Sequence, residues 1–292
     1  MFGHKIDYWL LKPFSHKRNL LTEDQLNSVS KAELTMAEDF NIDDESKRIK
    51  KFDSRFNNSV FKGKENKTYI DVGCGYGGLL LALAKEGAKK VVGLDIMKRR
   101  IDFATKIATQ LSLDDKCTFL NQNISSYDCR DRFDVLISTE ALEHIDDPGS
   151  FINRASDLIN DDGSIILIFG DLFHSPFGDH CNGFMKLPIP WKGVIFNEKA
   201  ILQLREECFR PSDPVQKFQD IEGGLNKMRF SDFLDYVDAS ELTFKQLEIN
   251  PNLKRYSLIY YLFNIFLKIP IIRDYFVMSV YAELIKKNKT HD

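Results

Sequence analysis

Tyr69-Ile70-Asp71-Val72-Gly73-Cys74-Gly75-Tyr76-Gly77-Gly78 is an apolar run that breaks into glycines and is followed by Leu79, Leu80, Leu83 and Ala84 at helical spacing. A strand that turns through glycines into a helix is implied, and Gly73, Gly75 and Gly78 satisfy G-x-G-x-x-G, a loop whose backbone can pass close to a ligand. The spacing alone permits a dinucleotide site. Asp71 argues against it, because a carboxylate two positions before the first glycine would oppose a pyrophosphate and suits a cationic amino group instead. Gly87 is placed to end the helix in the left-handed conformation.

Outward from this loop, apolar runs at Lys90–Leu94, Lys116–Leu120, Phe133–Ser138 and Ser164–Phe169 alternate with amphipathic stretches. Together with Thr68–Val72 they make five strands of an α/β unit with a parallel sheet. One intervening helix puts Ile101, Ala104, Ala108 and Leu111 on a single face. Another starts with Asp147 as N-cap and Pro148 at the first helical position, and buries Phe151, Ala155, Leu158 and Ile159. Residues 1–67 are charge-rich, with helical patterns at Ala32, Leu34, Met36, Ala37 and Phe40 and at Ile49, Phe52 and Phe56, and read as an N-terminal helical extension. The stretch at about 171–196, with Pro188, Pro190 and Trp191, reads as a lid after the fifth strand. Helices at about 198–208 and 232–237 and strands at 242–249 and 277–285 complete the chain. The apolar stretch 256–276 reads as a helix packed on the sheet, or as an acceptor-pocket wall or a shallow membrane-surface contact.

The sequence D-V-G-C-G-Y-G-G after a strand resembles the first motif of the class I S-adenosylmethionine-dependent methyltransferases. The resemblance covers roughly residues 65–170 and implies a doubly wound, mostly parallel seven-stranded sheet, the Rossmann-like α/β fold of that family, formed by residues 68–292. It implies S-adenosyl-L-methionine as cofactor, held by Asp71, Gly73, Cys74, Gly75 and Gly78. Asp95, closing the second strand, would then accept from the ribose hydroxyls, with Ile96 beside it. Asn123 and Ile124 would lie at the adenine, where the family commonly has Asp in place of Asn123. Phe133–Ser138 with Thr139 and Glu140 resembles the fourth-strand motif.

Methyl transfer from a sulfonium is an in-line displacement, so the protein must align the acceptor, exclude water and take a proton where needed. His180 is the first candidate for that base, His174 the second, and His144 a third. If Thr139-Glu140-Ala141-Leu142-Glu143-His144 forms a helical turn, Glu140, Glu143 and His144 share one face and would offer ligands to Mg2+ or another divalent cation, with His180 as a further ligand. This E-x-x-E-H spacing is similar to the metal site of ubiquinone-pathway O-methyltransferases and of the terminal 2′-O-methyltransferases of small RNAs. Against it stands a plain L-E-H turn that serves local hydrogen bonding. The expected acceptor is an oxygen of a small metabolite such as a sugar, a glycan precursor or a quinone-like phenol. An RNA 2′-O-methyltransferase and a non-catalytic cofactor-binding subunit are the alternatives.

Composition limits these readings. The 292 residues carry 40 Lys and Arg against 43 Asp and Glu, a net charge of −3, which disfavours a nucleic-acid partner dependent on phosphate neutralisation. A hydrophobic fraction of 43% is ample for a core. Cys74, Cys117, Cys129, Cys181 and Cys208 form no C-x-x-C pair and read as reduced, cytoplasmic thiols. His4, His16 and His291 read as surface residues. The run Tyr256–Leu267, fenced by Arg255 and Lys268, is too short to span a bilayer, so no transmembrane segment is expected.

Overall fold

In the computed structural model, residues 3–17, 42–128, 131–211, 214–221 and 224–287 are described. The helical pattern from Ala32 to Phe40, Cys129 and His291 lie outside them. The apolar runs become β1 (Thr68–Val72), β2 (Lys90–Asp95), β3 (Cys117–Asn121), β4 (Phe133–Thr139), β5 (Ile159–Gly170), β6 (Leu242–Ile249) and β7 (Ser279–Lys286). They form one sheet in the order β3-β2-β1-β4-β5-β7-β6, parallel except for β7, which runs antiparallel to both neighbours. Consecutive strands diverge in opposite directions from β1 and β4, so the carboxyl ends of these two strands flank the switch point at which open α/β sheets bind ligands.

The period-two alternation of β4 and β5 sorts their side chains. Leu136, Ile165, Leu167 and Phe169 enter one buried cluster, while Val135, Ile137, Ile166 and Ile168 enter the other. Eight α-helices of two turns or more are described: α1 (His4–Leu11), α2 (Ile42–Ser54), α3 (Gly78–Lys85), α4 (Lys98–Gln110), α5 (Pro148–Leu158), α6 (Glu198–Cys208), α7 (Phe230–Ala239) and α8 (Ser257–Leu267). Helices α2, α3 and α4 cover one face of the sheet, and α5 and α7 the other. Asp147 caps α5 by accepting from the Ser150 N–H at 2.9 Å, as its position before Pro148 predicts. A third cluster joins Tyr8 and Leu11 of α1 to Phe173, Cys181, Phe184 and Met185 of the post-β5 loop and to α6.

Several expected bounds shift. β5 begins at Ile159, immediately after α5, five residues earlier than its apolar run suggests. β3 begins at Cys117 and β7 at Ser279, and the helix expected at 232–237 extends from Phe230 to Ala239. Leu111 falls just past α4 and is exposed, so it leaves the buried face formed by Ile101, Ala104, Ile107 and Ala108. Helix α8 forms, but Leu258, Ile259, Tyr261, Leu262 and Ile265 face outward, which corrects the expectation that it packs flat on the sheet. Among the described residues no helix is long and apolar enough to cross a membrane.

The turn into α3 is tight. Gly77 sits at φ +74°, and a Cβ there would lie 2.7 Å from the Phe119 ring and 2.9 Å from Ala104 Cβ. Gly77→Ala therefore combines a left-handed backbone with overpacking, and is expected to cost about 3 kcal/mol in chemical denaturation.

Candidate active site

The glycine loop is held by its neighbour strand. The N–H groups of Gly73 and Cys74 donate to the Leu94 carbonyl at 2.8 and 3.0 Å, which bends the chain over the end of β2. Asp95, 6% exposed, accepts from the Gly75 N–H at 3.0 Å and from the Met97 N–H at 2.8 Å, one on each oxygen. Each carboxylate oxygen has a second lone pair, so Asp95 retains acceptor capacity for a diol. Arg100 Nη1 stands 3.7 Å from it. Ile96, at the bend after β2, is an exposed apolar surface beside that carboxylate.

Asp71 is buried in β1, and its Oδ1 has no hydrogen-bond partner. Burial, reinforced by the Asp95 charge, pushes its carboxyl up to about 7. A buried carboxyl with an unpaired oxygen beside an open glycine turn fits a ligand that brings a cationic donor. The Cys74 thiol is also pushed up by burial and stays protonated. Asn123 lies at the end of β3 as expected, but its Oδ1 accepts from the Ser125 N–H at 2.9 Å and caps the turn Ile124–Ser126. Ile124 is buried beneath it.

The β4 end adjoins this loop. Asp71 pairs in register with Ile137, Ser138 Oγ donates to the Val72 carbonyl at 2.8 Å, and a Cβ on Gly73 would meet Ala141 Cβ at 2.7 Å. Thr139 closes β4, next to Glu140. The expected helical turn is not formed. Glu140 adopts φ +50°, and only Leu142–His144 makes a 3-10 turn, so Glu140, Glu143 and His144 do not lie on one helical face. Among the described residues no three His, Cys, Asp or Glu side chains are arranged to hold a metal ion. Glu143 is buried, and burial together with Glu140 pushes its carboxyl up to about 8. Its Oε2 has no hydrogen-bond partner.

His144 and His180 do come together, with ring centroids 5.3 Å apart in an edge-to-face arrangement. His144 Nδ1 lies 2.6 Å from the Gly224 carbonyl, and His180 Nε2 lies 3.1 Å from the Asp171 carbonyl. A carbonyl can only accept, which assigns the proton to those two nitrogens and leaves His144 Nε2 and His180 Nδ1 as open lone pairs. Burial lowers the His144 pKa and keeps it neutral. His174 stands apart from this pair. Its ring packs against Phe173 and Tyr275 at 5.3 and 5.8 Å, and its Nδ1 is buried without a partner.

Three contributors carry no sequence signal. Asn226 donates from Nδ2 to the Leu142 and Ile145 carbonyls at 2.8 and 2.7 Å, and its N–H donates to the Glu143 carbonyl, which locks the β4 turn from a segment some 80 residues away. The Gly224 carbonyl fixes the His144 tautomer. Glu45 of α2 lies against Gly78 at the start of α3, where a carboxylate is favourable to the helix dipole.

Comparison with known proteins agrees with this geometry. Residues 63–180 match a family model described as a methyltransferase domain. A mitochondrial ubiquinone biosynthesis O-methyltransferase of Dictyostelium discoideum is 36% identical over 125 residues, covering 38% of this chain and 37% of that protein. A ubiquinone biosynthesis O-methyltransferase of Coxiella burnetii is 38% identical over 101 residues, covering 35% of this chain and 42% of that protein. The chain thus spans less than half the length of these curated relatives. A proposed S-adenosylmethionine-dependent methyltransferase from Listeria monocytogenes shares the fold at TM-score 0.50 and 16% identity, over 77% of this chain and 93% of that one.

Proposed function

We propose that this chain, in which residues 63–180 are a class I S-adenosylmethionine-dependent methyltransferase domain, methylates an oxygen of a small metabolite. The observations that carry the reading are the buried Asp71 carboxyl, its Oδ1 unpartnered, at the glycine turn after β1, and the His144–His180 ring pair held by the segments after β4 and β5. Bound S-adenosylmethionine supplies a methyl group on a cationic sulfur, whose transfer to oxygen leaves a neutral thioether and releases one proton. Asp71 would pair with the α-amino group of the cofactor, and the glycine backbone would hold its methionine part. Asp95 would accept from the ribose hydroxyls, and Ile96, Ile124 and Asn123 would hold the adenine.

His180 Nδ1 takes the acceptor's proton as the oxygen–carbon bond forms, with the His144 imidazole beside it. Glu140 lies where its charge favours the imidazolium so formed. Glu143, its carboxyl pushed up by burial, would donate to Glu140 and hold it in place, and no step is assigned to a metal. Residues 171–196 act as the lid, and the N-terminal extension covers the glycine loop through α2. The relatives' naming for O-methylation in ubiquinone biosynthesis supports oxygen as acceptor and makes a quinone-like phenol the first compound to test.

The experiment is transfer of a labelled methyl group from S-adenosylmethionine into a cell extract, partitioned into aqueous, lipid and polymer fractions, with and without excess EDTA. Label in the aqueous or lipid fraction, undiminished by EDTA, is expected. Label confined to polymer would replace the reading with RNA or protein methylation. Tight cofactor binding without any transfer would indicate a non-catalytic subunit, and loss of label with EDTA would return Glu140, Glu143, His144 and His180 to a metal role.

A further inference from the structure

Three segments far apart in sequence form one physical strap. The Lys186 N–H donates to the Phe14 carbonyl at 2.7 Å and Ser15 bridges to Met185, which ties the segment after α1 to the loop after β5. The Asn197 N–H donates to Asp7 of α1 at 2.7 Å. In the same loop, Trp191 Nε1 donates to the Tyr275 carbonyl at 2.8 Å and its ring meets Phe276 at 5.6 Å. Phe276 in turn stacks on Phe266 of α8 at 4.3 Å.

This strap presents large apolar side chains to solvent. Trp9 is 67% exposed, Leu187 65%, Leu258 71% and Ile271 88%, and Ile6, Leu10, Phe14, Tyr261 and Ile265 stand open beside them. Scattered exposed apolar residues are ordinary, but a run of this size on connected elements marks an interaction surface.

Charge identifies the occupant. In a chain where 43 of 292 residues are Asp or Glu, residues 249–273 contain none, and neither do residues 180–197. Residues 3–17 contain only Asp7, which is buried. Cations line the same segments: Lys5, Lys12, Lys17, Lys186, Lys254, Arg255 and Lys268 are all exposed. The acids that approach are paired, Glu207 with Tyr8 and Lys12, and Glu248 with Lys254. Aromatic and aliphatic side chains fringed by Lys and Arg, with the two approaching carboxylates taken up by Lys12 and Lys254, match the boundary between acyl chains and anionic headgroups. An apolar interface between protein chains has no such need to exclude acids.

We propose that α1, the loop segment from Leu187 to Ile195 and α8 form a docking surface for a bilayer carrying anionic lipid. This binding is independent of the methyl-transfer reading and holds for a chain with no turnover. The test is co-sedimentation of the protein with vesicles of phosphatidylcholine alone and of phosphatidylcholine with about a third phosphatidylglycerol, an anionic surface of the kind that attracts Lys and Arg. Wild-type protein is expected to pellet with the anionic vesicles, to be released by high salt, and to remain largely in solution with the neutral ones. Trp9→Glu and Leu258→Glu each lower the anionic-vesicle affinity at least about tenfold, with the melting temperature unchanged because both side chains are solvent-facing. Protein that stays in solution with both vesicle types overturns the proposal, as does pelleting that the substitutions leave unaltered. Vesicle-free self-association abolished by the same substitutions, without vesicle binding, overturns it in favour of a second copy of the chain.

Discussion

His180→Ala lowers kcat for the methyl acceptor at least about a hundredfold while leaving the affinity for S-adenosylhomocysteine within about twofold of wild type. The magnitude is that of removing a positioned proton acceptor. The separation of the two constants follows from position: His180 lies in the loop after β5, whereas the proposed cofactor contacts come from β1, β2 and β3. A merely structural role would lower both constants and the melting temperature together. His180 has φ +54°, a conformation that Asn accepts more readily than Ala, so His180→Asn is the control for backbone strain. If both variants turn over at the wild-type rate, proton removal belongs to His144 Nε2 or to solvent.

The second large effect is on cofactor affinity. The Asp71 carboxyl is pushed up to about 7 by burial and by Asp95, so in the free protein it is largely neutral at pH 5 and largely ionised at pH 8. A cationic amino group pairs with the ionised form, and the proton must leave before the pair can form. The dissociation constant for S-adenosylhomocysteine is therefore expected to weaken about fivefold from pH 7 to pH 6 and about fiftyfold from pH 7 to pH 5. Calorimetry across that range reads it, and buffers of different ionisation enthalpy report the proton released. Asp71→Asn should bind weakly and without pH dependence. A wild-type affinity flat between pH 5 and 7 would mean that Asp71 does not face the amino group.

The parts of this site that could be read from sequence are those built within one strand–turn–helix–strand unit. Asp71, the glycines and Asp95 are fixed relative to one another by short loops, so their spacing carries their geometry. The Glu140–His144 segment shows the limit. Its residue types suggest a helix face, yet Glu140 takes a left-handed backbone that glutamate does not announce, and the turn is locked by Asn226 and the Gly224 carbonyl. Neither partner has a local signature, because any residue supplies a carbonyl. Helix α8 is a second such case. The sequence Ser-Leu-Ile-Tyr-Tyr-Leu-Phe-Asn-Ile-Phe-Leu is apolar almost all round, so its periodicity establishes a helix without saying which side is covered. The alternating burial of β4 and β5 cannot be read for a related reason: a strand buried on both faces presents a continuous apolar run.

The Asp7–Asn197 bond has a consequence for how the protein is made. Helix α1 leaves the ribosome well before its docking partners, the loop after β5 and α6, which follow nearly two hundred residues later. At about 5–20 residues per second, the apolar side chains Tyr8 and Leu11 wait on the order of ten to forty seconds for their cover. The β1–β4 core can assemble in that interval, so closure of the strap would be a late event in synthesis. The nascent chain carries this apolar face of α1 through translation uncovered, and its yield should depend on chaperone capacity and elongation rate more than on the stability of the finished sheet.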